Sequence, residues 1–210
     1  MNFKKLNKTQ MTIVLSGFYI FFSLIANIAS TKLITFGSFV TDAGFIYYLV
    51  FTWRDLLHKQ LGKKAVLTTI YLAAVVNILA TFYFQLIVNL PPETEWAILG
   101  QSAWEFIFGI QFRIVLGSIL AFIFSELVDT FVYSWWVKKH KTRQWLRVFV
   151  SNSVSMPVDT ILFSIIAFWG VVSFNVLIEI FWTNIILKFV ATGLTFWMIY
   201  LVPEKKIYVE

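Results

Sequence analysis

Apolar runs, each near the length a helix needs to cross a bilayer, fill most of this chain and leave only short polar segments between them. A transmembrane helix takes about 20 predominantly apolar residues. Runs of that kind cover residues 11–33, 38–57, 66–90, 106–135, 148–172 and 175–202. They predict an all-α, polytopic membrane fold of six transmembrane helices, with residues 1–210 forming a single transmembrane domain. The second run contains Asp42 and Gly44 and ends in Arg54-Asp55, so an intact, a broken and a re-entrant segment all stay open there. Composition agrees. Hydrophobic residues make up 59% of the chain and charged residues 13%, against about 25% charged in a soluble domain.

The polar segments set an orientation. Lys4, Lys5 and Lys8 precede the first run, Arg54, Lys59, Lys63 and Lys64 part the second from the third, and Lys138, Lys139, Lys141, Arg143 and Arg147 part the fourth from the fifth. Lys205 and Lys206 follow the sixth, whereas the alternate connection Pro91-Pro92-Glu93-Thr94-Glu95 is acidic. The positive-inside rule then places both termini in the cytoplasm. The basic start resembles a signal peptide, but its apolar run is too long and no small-x-small site follows, which predicts an uncleaved first helix. The net charge of +6 lies at the ends of apolar runs, a pattern that suits anionic lipid rather than nucleic acid.

Other functions are excluded by what is missing. The chain has no Cys, no P-loop and no HExxH or GxSxG motif. His58 and His140 lie in basic loops and make poor metal ligands. No metal site, no cofactor and no catalytic set is predicted, so the expectation is not an enzyme.

Several charges lie within or at the edge of the apolar runs: Lys32, Asp42, Arg113, Glu126, Asp129, Asp159, Glu179 and Lys188. A charge in hydrocarbon costs at least ~2.5–3.5 kcal/mol, so such residues tend to face a bundle interior or a wet cavity. Asp159 lies about eleven residues into the fifth run, or ~17 Å, and Lys188 about thirteen into the sixth, or ~20 Å. Both fall near the middle of a ~30 Å core. The short connection makes the two helices antiparallel neighbours, which opens an Asp159–Lys188 salt bridge. That pair is either structural glue or the floor of a polar substrate cavity. Glu126 and Asp129 share one helical face. Paired carboxylates raise each other's proton affinity, which makes them candidates for proton coupling, or else two solvated charges beside the Lys-rich loop. Asn27 and Asn77 add amides, Pro157 interrupts a polar stretch of the fifth run, and Phe163 and Phe168 could stack a planar ring.

Four groups of residues carry a resemblance: Ala26-Asn27-Ile28-Ala29-Ser30-Thr31-Lys32; Asp55-Leu56-Leu57 with Gly62-Lys63-Lys64-Ala65; Arg113 with Gly117-Ser118 and Ala121; and Val158-Asp159-Thr160 with Phe163 and Ile166-Ala167-Phe168. In this order the chain resembles the VUT family of vitamin-uptake-like, queuosine-precursor transporters. The resemblance implies a bacterial or archaeal plasma membrane protein, a fold similar to the substrate-binding components of energy-coupling-factor transporters, and import of a 7-deazaguanine-type base. It also implies that Asn27, Asp55, Arg113, Asp129, Asp159 and Lys188 occupy recurring family positions. Met156 and Glu126 stand where the family often carries amides. The expected binding set is Asp159, Lys188, Arg113, Asn27 and Phe163 around a deazapurine-like small molecule. A carboxylate accepts from a ring N–H and its neighbouring exocyclic amine together. A vitamin binder that recruits a separate ATPase module, a homo-oligomer, and a membrane assembly factor remain alternatives.

Overall fold

The computed structural model describes residues 7–37, 39–139 and 144–195. In chain order the elements are α1 (Lys8–Ala29), β1 (Leu33–Phe36), β2 (Phe39–Asp42), a single 3-10 turn (Gly44–Ile46), α2 (Tyr47–Leu61), α3 (Lys63–Val88), α4 (Thr94–Leu99), α5 (Gln101–Lys139), α6 (Gln144–Phe168) and α7 (Phe174–Thr195).

α1 starts where Asn7 closes a capping box. Its Oδ1 accepts from the Gln10 backbone N–H at 2.8 Å, and its own N–H donates to Gln10 Oε1 at 3.1 Å. The helix stops at Ala29, so the expected first span is four residues too long, and Leu33 belongs to a strand instead. The second expected span is not one helix. Leu33–Phe36 and Phe39–Asp42 pair antiparallel in the register Leu33↔Asp42 to Phe36↔Phe39. Their β-branched and aromatic side chains favour extended backbone, and Gly37, at φ +60°, supplies the left-handed turn a tight hairpin needs. α2 then runs for 15 residues, about 22 Å, which falls short of the hydrocarbon thickness. This segment is therefore broken into a hairpin and a shortened helix.

Among the described residues, four helices are long and apolar enough to cross a membrane: Thr9–Ala29, Lys64–Val88, Gln101–Val128 and Phe174–Ala191. Ser153–Phe168 of α6 is a shorter apolar stretch that contains Pro157. The protein is thus a multi-pass helical membrane protein whose second span departs from the expected helix. Leu79, Phe82 and Trp182 are each more than half exposed on the outside of the bundle, which suits hydrocarbon and would be untenable in water.

Two apolar clusters organise the interior. Met11, Leu15 and Tyr19 of α1 pack with Val50 and Leu57 of α2 and Val66 of α3. Ile110 and Ile114 of α5 pack with Ala167 and Phe168 of α6 and Leu177 and Ile180 of α7, with Leu33 and Val40 of the hairpin laid against them. Gly117 lets α5 and α6 approach closely, since a Cβ there would lie 3.3 Å from Ile166. Most buried polar side chains come from helix faces and hairpin residues that belong to neither cluster.

Candidate functional site

Six of the buried polar residues line a cavity of about 430 Å³, its open mouth included. Ala26, Asn27 and Ser30 come from the end of α1, Asp42 and Gly44 from the hairpin and turn, and Tyr47 and Tyr48 from the start of α2. Ser118 and Ala121 of α5, Asp159 and Phe163 of α6, and Asn184 and Lys188 of α7 complete the wall. The cavity lies where the hairpin gives way to α2. In this conformation the lining leaves room for little more than ordered water, so a planar solute needs the walls to part. A second, mainly apolar cavity of about 650 Å³ shares Asn27, Tyr47 and Ser118 with the first and reaches toward Tyr71 and Ile123 on α3 and α5.

At one end of the wall Lys188 Nζ donates to Asp159 Oδ2 at 2.6 Å and to Thr160 Oγ1 at 2.8 Å. Ser125 Oγ reaches Asp159 Oδ1 at 3.4 Å. The two charged side chains are 7% and 9% exposed. A pair so far out of solvent survives only with such added hydrogen bonds.

One turn of α7 away is a second cluster, centred on Asp42. Its Oδ1 accepts from Ser30 Oγ at 2.8 Å and from the Gly44 backbone N–H at 2.9 Å, and its Oδ2 accepts from Asn184 Nδ2 at 3.0 Å. Asn184 Oδ1 in turn accepts from Thr41 Oγ1 and from the Tyr48 hydroxyl, both at 2.8 Å. Asp42 and Asn184 are 6% and 3% exposed.

Residues 41–202 match the family described as "Putative vitamin uptake transporter". The chain belongs to this vitamin uptake transporter family. A relative from Bacillus subtilis (strain 168), named "Probable queuosine precursor transporter", is 31% identical over 172 residues, covering 80% of this chain and 74% of the relative. No solved structure matches the chain. Family membership makes this multi-pass protein a membrane transporter, and the polar cavity is the feature a transporter of this family would need.

The residues singled out from the sequence divide by position. Asp159, Lys188, Phe163 and Asn27 all line the cavity. Asn27 Nδ2 donates to Asn77 Oδ1 at 2.7 Å, and its own oxygen has no hydrogen-bond partner among the described residues. Phe163 stands edge-on to Phe168, with ring centres 5.8 Å apart.

Arg113 lies elsewhere. Its Nε donates to the Ile166 carbonyl at 3.1 Å and its Nη2 to the Trp169 carbonyl at 2.6 Å. The last carbonyls of a helix lack intrahelical donors and carry the negative end of its dipole. Arg113 therefore caps α6 rather than facing the cavity. Arg113→Ala is expected to lower stability by about 1 kcal/mol while leaving ligand affinity unchanged, as thermal unfolding with and without ligand would measure.

Glu126 pairs with Arg54 of α2 at 3.1 Å, with side chains 46% and 27% exposed. It faces a cation, and the Asp129 side chain lies outside the described residues, as does that of Asp55. Lys32 and Glu179 are exposed. Met156, at one of the departures from the family pattern, is buried but does not line the cavity.

The Asp42 cluster is what the sequence reading missed. Asp42 stood out as a charge in an apolar run, yet its neighbours follow from the hairpin register and from α7. The signal that could have found it is Gly37-Ser38 between two β-branched and aromatic tetrads, Leu33-Ile34-Thr35-Phe36 and Phe39-Val40-Thr41-Asp42.

Proposed function

We propose that this transporter imports a queuosine precursor, a 7-deazaguanine-type base, across the plasma membrane, with both termini cytoplasmic. The observation that carries the reading is a buried acid–base pair, Asp159 and Lys188, in the wall of a cavity that also presents Phe163 and Asn27. The name of the Bacillus subtilis relative supports the same substrate class.

In this reading Asp159 exchanges Lys188 for the ligand. Its two oxygens accept from a ring N–H and the adjacent exocyclic amine, a bidentate match of the kind that carboxylates make with planar forked donors. Lys188, released from Asp159 but still bonded to Thr160, donates to the ring carbonyl. Phe163 offers a ring for stacking, and the Asn27 oxygen accepts from a further N–H. The ion pair is thus replaced by two charge-assisted protein–ligand contacts, so that each charged group stays hydrogen-bonded.

The test is uptake of labelled deazaguanine bases into a strain that lacks its own transporter. Uptake above the empty-vector level is expected, falling to background in Asp159→Ala and Lys188→Ala. Full uptake in both variants would remove the pair from the mechanism. Uptake into proteoliposomes without ATP would set aside an obligate ATPase module.

A further inference from the structure

The ionisable groups that line the cavity are Asp42, Asp159, Lys188, Tyr47 and Tyr48. Lys188 neutralises Asp159 within the wall. Asp42 has no such counterpart. The three groups that bond its carboxylate are a hydroxyl, a backbone N–H and an amide, all neutral donors, and no Lys, Arg or His lies within salt-bridge distance of it among the described residues. The N–H of Gly44, at the start of the turn that leads into α2, softens this charge as a helix N-terminus does, by about half a unit at most. The formal charge of the wall is therefore −1.

We propose that the occupied cavity holds one positive charge beside Asp42, carried by the substrate as an ammonium group on the far side of the ring from Asp159. This rests on the deazapurine reading and sharpens it: the favoured ligand bears an aminomethyl substituent rather than a neutral nitrile. The same chemistry could be met by a co-bound inorganic monovalent cation, and the experiment separates the two sources. A buried carboxylate that gains a cationic partner loses its charge imbalance and gains a charge-assisted hydrogen bond. Such a bond corresponds to roughly ten- to a hundredfold in affinity.

The test measures affinity of the full-length, detergent-purified protein for 7-aminomethyl-7-deazaguanine and 7-cyano-7-deazaguanine, in choline chloride and in sodium chloride. In choline the aminomethyl ligand is expected to bind roughly ten- to a hundredfold more tightly, and Asp42→Asn is expected to bring the ratio close to one. If the nitrile gains that factor when sodium replaces choline, the positive charge is supplied by the inorganic ion, and the assignment of Asp42 as the cation site stands. Equal affinities in choline with no effect of sodium overturn this inference and leave the substrate class intact. A wild-type ratio that persists unchanged in Asp42→Asn also overturns it. Binding of neither base overturns the substrate class and this inference with it. The wild-type ratio needs no variant, so a misfolded Asp42→Asn protein does not block the result.

Discussion

Lys188→Met will destabilise the purified protein by about 3–5 kcal/mol, the range for removing one partner of a buried ion pair. Methionine keeps much of the stem volume of lysine, so packing changes little. What is lost is the charge that meets Asp159 at 2.6 Å and the donor to Thr160 at 2.8 Å. The Asp159 carboxylate, in a side chain only 9% exposed, would retain the weak 3.4 Å contact from Ser125. Thermal unfolding in detergent measures the change, and an unaltered melting temperature would refute it. Asp159→Leu combined with Lys188→Met separates the two roles of the pair. Replacing a whole buried ion pair by apolar groups is often neutral or stabilising, so the double variant is expected to recover the melting temperature while failing to bind the base. A stable double variant that still binds would make the pair structural only.

Gly44→Ala has the next largest expected effect. A Cβ at this position would collide with Ser30 Oγ, come within 2.6 Å of Asp42 Oδ1 and lie 3.0 Å from the Ala26 carbonyl. The first two atoms are bonded to each other at 2.8 Å, so neither moves without breaking that bond. The third is backbone at the end of α1 and cannot swing aside. Overpacking of this kind costs about 1–3 kcal/mol. Because the displaced atoms hold the Asp42 carboxylate, ligand affinity is expected to fall by at least about tenfold as well. A variant with native melting temperature and native affinity would show that the turn yields more freely than its contacts indicate.

These two sites differ in how far the sequence discloses them. Asp159 and Lys188 could be paired in advance because helical rise converts position into depth, and a short connection forces α6 and α7 to be neighbours. Only the helical period and the hydrocarbon thickness were needed. The cluster around Asp42 needs more. Leu33–Phe36 and Phe39–Asp42 are largely apolar, and hydropathy does not register whether an apolar run is coiled or extended. Thr41 and Asp42 reach Asn184 only because the end of β2 packs against α7, and residues 142 and 143 positions apart in sequence carry no local sign of one another. Arg113 shows the converse dependence. A cation inside an apolar run suggests a ligand, but where α6 ends decides its partner, and Gly170 at φ +78° sits just beyond that end. The carbonyls left open there take its hydrogen bonds.

The hairpin that interrupts the second span has a mechanical consequence. An intact transmembrane helix resists partial withdrawal, since each rung lost exposes a donor and an acceptor to hydrocarbon. The ladder from Leu33 to Asp42 is different, because its rungs join the two strands to each other and would travel with them. Displacing it breaks a handful of side-chain tethers and its packing on α7, but melts no secondary structure. The hairpin can therefore shift as a unit at the expense of a few local bonds, while the longer helices around it keep their backbone ladders intact.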